Sequence, residues 1–272
     1  MLNTVILLGT LTGILLAIGF LLAGPFGALF ALILSVLINF AAYWYSERIV
    51  LKLYKARPTS GKTTLDSVID DLATEAMLPK PKAYIIPTKI PNAFATGRDP
   101  KHSAIAVTEG ILELGPEEVK GVIAHEMGHI KNRDILVSTL AATIAGAISY
   151  VAHIGYWSMF AGNSRQGGGN ALALVMMVVF APMAALLIRL AITRSREYGA
   201  DRTGALLTKN PLGLASALRK ISRVSEHRPL RGSSATSHMW IVNPFKRDWF
   251  TGLFSTHPPI EARLQRLEEM AG

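Results

Sequence analysis

Residues 116–134, PEEVKGVIAHEMGHIKNRD, begin as a helix and carry a metal-binding spacing within it. Pro116 stands in the first turn, where its missing N–H is harmless, and Glu117 and Glu118 follow where carboxylates favour the positive helix terminus. His125 and His129, four residues apart, lie about 40° apart around a helix axis and can share one ion. Glu126 lies about 100° round from His125, beside water on the open position of such an ion, where it can act as a general base. Val119, Ile123 and Met127 give this helix an apolar face, which favours burial over a surface helix with two solvated histidines.

Two histidines do not complete a zinc site, so a third protein ligand is required. With no cysteine in the chain, disulfides, thiolate ligands and a cysteine nucleophile are excluded, and any metal must be held by His and carboxylates. That donor set makes zinc, one ion per chain, the first choice. If the helix continues, Asp134 lies about 180° from His125 and faces away. A metzincin-type third histidine is excluded, because Asn132 and Ile135 stand where that pattern needs Gly and His. The best candidate is Glu197 in TRSREYGADRTGA (193–205), with Asp201 one turn further on to hold the far nitrogen of a ligating His. The same spacing also fits an ordinary ion-paired helix among Arg194, Arg196 and Arg202.

Half of the 272 residues are hydrophobic, and they gather in long runs, the mark of a membrane protein. Residues 2–23, 26–45, 135–157 and 171–188 are each long enough to cross about 30 Å of hydrocarbon as helices. The first lacks the basic leader of a signal peptide and is followed at once by the second, so a helical hairpin turning at Gly24-Pro25 is expected. The net charge of +9 lies beside these apolar blocks and forms no polybasic stripe, which argues against nucleic acid as a partner. Arg48, Lys52, Lys55 and Arg57, then Lys131 and Arg133, then Arg189, Arg194 and Arg196 flank the spans and place 46–134 and 194–272 on the cytoplasmic side. The connections at Gly24-Pro25 and 158–170 carry Arg165 alone and belong outside.

The chain therefore reads as a transmembrane hairpin (1–45), a first cytoplasmic part bearing HEMGH (46–134), a second hairpin (135–193) and a second cytoplasmic part (194–272). The two cytoplasmic parts are expected to fold as one α+β domain with a small sheet. AYIIP (83–87) and SAIAVT (103–108) read as strands, and PNAFATG (91–97) as an edge strand before the turn TGRDPKH. Asn39 and His153 fall inside spans, where hydrogen bonding within the bundle and an interfacial position account for them. His102, His227 and His238 read as surface or loop residues. Arg263 falls on an amphipathic final helix with Ile260, Leu264 and Leu267 on its apolar face, or else ties the preceding turn to the site.

HEMGHIKNRD (125–134), SREYGAD (195–201) and STHPPIEARL (255–264), in this order with apolar spans between, resemble the HtpX membrane zinc metalloproteases, relatives of the CAAX prenyl endopeptidases. The likeness covers nearly the whole chain, including the two amino-terminal spans, PNAFATG and VNPF (242–245). It implies a gluzincin-type site: His125, His129 and Glu197 on zinc, Glu126 as base and Asp201 behind a ligating histidine. It also implies that His257 of the HPP motif approaches the site and stabilises the oxyanion, although the residues alone read it as a turn histidine before Pro258. Extended substrate on the edge strand would bring Asn92, Ala93, Phe94 and Ala95 beside the metal. The resemblance further implies polypeptide substrates, misfolded or damaged membrane proteins among them, and a prokaryotic cytoplasmic membrane with its lipid as setting. An intramembrane protease is disfavoured by Glu117, Glu118, Lys120 and Lys131 around the motif. A non-catalytic metal-binding scaffold is disfavoured by the presence of base, ligands and supporting carboxylate together.

Overall fold

The computed structural model describes residues 2–137, 194–227, 239–242 and 258–272. Most of the third expected span, the whole fourth, the loop 158–170, His153, His238, His257 and residues 243–245 lie outside them.

Helix α1 (Leu2–Leu53) is broken at Ala23 (φ −145°, ψ 23°) and Gly24 (φ 59°, ψ −144°), just before Pro25. Only glycine adopts such a positive φ without steric penalty. The two legs lie side by side, with Asn39 Nδ2 donating to Thr12 Oγ1 at 3.0 Å. Within α1, the 23-residue stretch Ala23–Tyr45 contains an 18-residue window of mean hydropathy 2.1 and is long and apolar enough to cross a membrane. This stretch leaves Phe26, Leu29, Phe30, Leu37 and Phe40 exposed. The helix does not stop at residue 45 but runs on to Leu53, so that Val50 and Leu51 enter the protein core.

After the two-residue strand β1 (Arg57–Pro58) come helix α2 (Thr64–Ala76) and strands β2 (Lys82–Ile86), β3 (Ala93–Asp99) and β4 (His102–Thr108). Their order in the sheet is β1-β2-β4-β3, with β2 parallel to β4 and β3 antiparallel to it, leaving β3 at the edge. Alternation along the strands sends side chains to two buried faces, which is why they read as nearly continuous apolar runs. Ala93, Ala95, Ile105 and Val107 face the main core, while Phe94, Ala104 and Ala106 face Val50, Leu51 and Trp240. Phe94 and Tyr54 both pack on Trp240, with ring centroids 5.0 and 4.8 Å away, and the Arg98 guanidinium lies 4.4 Å over the Trp44 ring. Strand β3 and helix α1 are thereby joined.

The main core is closed by helices α3 (Pro116–Lys131), α4 (Arg194–Thr208), α5 (Pro211–His227) and α6 (Ile260–Glu269). Helices α3 and α4 touch through glycines. A Cβ at Gly204 would stand 2.8 Å from the His125 amide nitrogen, and one at Gly128 would stand 2.9 Å from the Ala200 carbonyl oxygen. Both distances are too short for any side chain.

Glu118 fastens the start of α3. Its carboxylate accepts from the Gly115 N–H (2.9 Å), the Ser216 hydroxyl (2.5 Å) and Lys220 Nζ (2.7 Å), which joins α3 to α5. Burial pushes the Glu118 carboxyl up, but the Lys220, Ser216 and Gly115 hydrogen bonds outweigh it and hold it below its usual range. A depressed carboxylate stabilises the fold above its unfolded pKa and loses that contribution as pH falls through its folded pKa. Glu118→Gln is therefore expected to cost about 1–3 kcal/mol at pH 7. In urea unfolding across pH, the gap to wild type should close below about pH 4. A gap that persists unchanged at pH 3 would contradict this account.

Candidate metal centre

The site is made where α3 and α4 cross. The His125 and His129 rings lie 4.7 Å apart, centroid to centroid, nearly perpendicular to each other. Glu197, in the first turn of α4, faces both. Its Oε2 is 3.9 Å from His125 Nε2 and its Oε1 is 3.5 Å from His129 Nε2. Tetrahedral zinc with ligand atoms at about 2.0–2.2 Å needs those atoms roughly 3.3–3.6 Å from one another. The group formed by His125, His129 and Glu197, whose ligand atoms all lie within 4.8 Å of one another, is near that size.

Each histidine is turned toward this point by a carboxylate behind it. His125 Nδ1 is 2.8 Å from Asp201 Oδ1, and His129 Nδ1 is 3.3 Å from Asp134 Oδ2. With both Nδ1 atoms engaged, both Nε2 atoms are presented to a common centre, as metal-ligating histidines require. His125 Nε2 is buried without a hydrogen-bond partner, and so is Oε1 of the adjacent Glu126. Buried polar atoms are rarely left so, and an ion with its water would satisfy both. The residues present thus fit a divalent cation.

The placement of Asp134 corrects the sequence expectation. Helix α3 ends at Lys131, Asn132 caps it, and Arg133 takes a left-handed conformation (φ 60°). The chain turns back, the Asp134 N–H donates to the His129 carbonyl at 2.9 Å, and the side chain, expected to face away from His125, meets the His129 ring. Arg196 Nε lies 3.3 Å from Asp134 Oδ1 on the other side.

Arg263, from α6, is buried at the centre of this arrangement (1% exposed). Its Nε and Nη2 donate to the two carboxylate oxygens of Asp201 at 2.8 and 2.7 Å, and its Nη1 donates to the Ile241 carbonyl at 2.9 Å. Of the four residues expected along a bound substrate, Asn92 precedes β3, and its side-chain amide donates to the Val242 carbonyl at 2.7 Å. The Ala93 carbonyl accepts from the Ile241 N–H at 3.0 Å. Phe94 points into the Trp240 cluster. The N–H of Ala95 reaches the site, donating to the Glu126 carboxylate.

Burial pushes Glu126 up to about 7, and the charge of Glu197 adds to this against the pull of His129. Burial also pushes His125 down, in opposition to Asp201. For His129, burial works against the cation, but the Asp134 hydrogen bond and the charges of Glu197 and Glu126 outweigh it and raise the group to about 9. Asp201 is held below its usual range because Arg263 and His125 overcome the effect of burial.

A helix carrying HEMGH, a glutamate from a second helix and a buried carboxylate beside them define a metal-dependent peptidase. The profile of peptidase family M48 matches residues 60–271. The "Protease HtpX homolog" of Syntrophotalea carbinolica is 49% identical over 274 residues, covering 99% of this chain and 98% of the relative. Those of Pyrococcus furiosus and Persephonella marina are each 48% identical, covering 99% of this chain and 95% and 96% of theirs. The chain belongs to peptidase family M48 and is a protease, a hydrolase acting on peptide bonds.

With its Asp134 hydrogen bond and the charges of Glu197 and Glu126, His129 is raised to about 9, which favours the protonated ring at neutral pH. A cation taken up at its ring must displace that proton. Zinc binding at pH 7.5 is expected to release on the order of one proton per ion, and affinity should rise with pH up to about 9. Titration calorimetry in buffers of different ionisation enthalpy measures this release, and heats independent of buffer would contradict it.

Proposed function

We propose that this protease is a zinc-dependent endopeptidase held in the cytoplasmic membrane of a prokaryote, with its site facing the cytoplasm. The observation that carries the catalytic part is the buried Glu126 carboxylate, with Oε1 unpartnered, beside the His125–His129–Glu197 group. His125, His129 and Glu197 would hold the ion. When bound, zinc supplies a Lewis acid for the scissile carbonyl and acidifies water.

The residues of the chain supply the rest. Glu126, pushed up to about 7, accepts a proton from the attacking water at its carboxylate and returns it to the leaving amine, a task that a pKa near the working pH suits. Asp201 and Asp134 fix the orientation of the two histidines, so that little rearrangement is needed during reaction. The Ala95 N–H holds the Glu126 carboxylate and marks the part of β3 where an extended substrate would pass. His257, three residues before the start of α6 in sequence, is proposed to approach the oxyanion.

Membrane anchoring by about four spans is supported by the exposed apolar face of Ala23–Tyr45 and by the basic residues that follow the second segment, precede the third and follow the fourth. The division into hairpin 1–45, protease part 46–134, hairpin 135–193 and protease part 194–272 is supported by the packing of α3 against α4 and α5, and of α6 against α5 and α4, in one core. The relatives' name supports polypeptide substrates; misfolded or damaged membrane proteins among them are proposed from the family resemblance and from the apolar anchor.

Glu126→Gln removes the base and leaves the ligands. The variant is expected to bind one equivalent of zinc and to cleave an unfolded protein about 10²–10⁴-fold more slowly than wild type. Cleavage at the wild-type rate by the zinc-loaded variant would refute this assignment of the base.

A further inference from the structure

We propose that Arg263 is a positioning residue of the metal centre, making the carboxy-terminal helix α6 part of the site that α3 and α4 form. This rests on the proposed zinc site at His125, His129 and Glu197 and assigns that site a further residue.

The guanidinium makes three separate connections. Its Nε and Nη2 grip both oxygens of Asp201 in the fork geometry that fixes a carboxylate in plane as well as in position. That carboxylate receives His125 Nδ1 at 2.8 Å, so the plane of the fork sets the plane of the imidazole and the direction of its Nε2. Nη1 lies 3.5 Å from Glu197 Oε2, the carboxylate proposed as third ligand. The same Nη1 donates to the Ile241 carbonyl, and the Ile241 N–H bonds the Ala93 carbonyl on the outer edge of β3. One side chain thus holds a ligand histidine through Asp201, stands beside the ligand glutamate and ties down the start of the strand whose Ala95 N–H holds Glu126.

Lysine cannot replace it. An ammonium is a point charge that can pair with Asp201 but cannot grip both oxygens in plane while also reaching Ile241. A residue serving only to neutralise a buried aspartate would be replaced by lysine without loss at the metal. A positioning residue would not. Losses from removing groups behind metal ligands are typically about 10–100-fold in metal affinity or activity.

The test compares zinc affinity, by competition with a chromophoric chelator, for wild type, Arg263→Lys and the double variant Arg263→Met with Asp201→Asn, all as full-length detergent-solubilised protein checked for folding by circular dichroism. The double variant removes both buried charges together, so that no unpaired aspartate is left to unfold the protein. The expected result is folded Arg263→Lys with zinc affinity lowered about 10–100-fold, and a comparable loss in the double variant. Wild-type affinity in either folded variant would overturn the proposal, and failure of both to fold would make Arg263 a stability residue and overturn it equally. If wild type itself bound no stoichiometric zinc, the proposed function would fail and not this inference alone.

Discussion

The metal centre depends on how closely α4 lies against α3. Gly204 meets the backbone at His125, and Gly128 meets the backbone at Ala200, with no room for a Cβ at either point. A methyl at one of them would lift α4 by on the order of 1 Å, whereas metal–ligand distances tolerate only about 0.2 Å. Glu197 and Asp201 both ride on α4. Separating the helices would withdraw Glu197, the proposed third ligand, and the carboxylate behind His125 in one movement. The second glycine of HEMGH's neighbourhood thus matters as much as its histidines, although it touches no ion.

Around that contact the protein gathers more negative charge than it can bury cheaply. Glu126, Glu197, Asp201 and Asp134 converge on two imidazoles, and each buried carboxylate demands a partner. Asp201 has Arg263 and His125, and Asp134 has Arg196 and His129. Glu126 has a single backbone N–H and a distribution of neighbours that includes another carboxylate. It is the carboxylate whose proton affinity rises to about 7, and this difference in partners sets the proposed base apart from the proposed ligand and the carboxylates behind the histidines. The same environment, by helping His129 hold a proton, makes metal uptake and proton release one event.

The sequence carried these features unequally. HEMGH was readable because helical spacing alone brings its histidines together; Glu197 with Asp201 stood out as a carboxylate pair four apart on one face, but that spacing fitted an ion-paired helix as well, and the family resemblance favoured the site. Strands β2, β3 and β4 were placed to within two residues, since β3 and β4 are largely buried on both faces, whereas the two-residue β1 was not foreseen. Asp134 was misread through the assumption that α3 continues. Asn132 after Lys131 is a helix-stop signal, and a stop there lets the chain fold back on His129. Arg263 was left open between two readings. Its place among Ile260, Leu264 and Leu267, spaced as one helical stripe, puts a charge on a buried face, and a charge there requires a buried partner. That the partner is Asp201, sixty-two residues away, no local pattern could supply. Asn92 fastens Val242 through its amide, a contact between residues too distant in sequence to be read from either.

The central claim is that the two histidines of α3 and Glu197 of α4 hold one ion between them. Anomalous diffraction at the zinc edge from crystals of the zinc-loaded full-length protein tests it directly. The account predicts a single strong peak bonded to His125 Nε2, His129 Nε2 and a Glu197 carboxylate oxygen, each at about 2.0–2.2 Å. A peak that lies away from Glu197, or one whose third protein ligand comes from another residue, would contradict it.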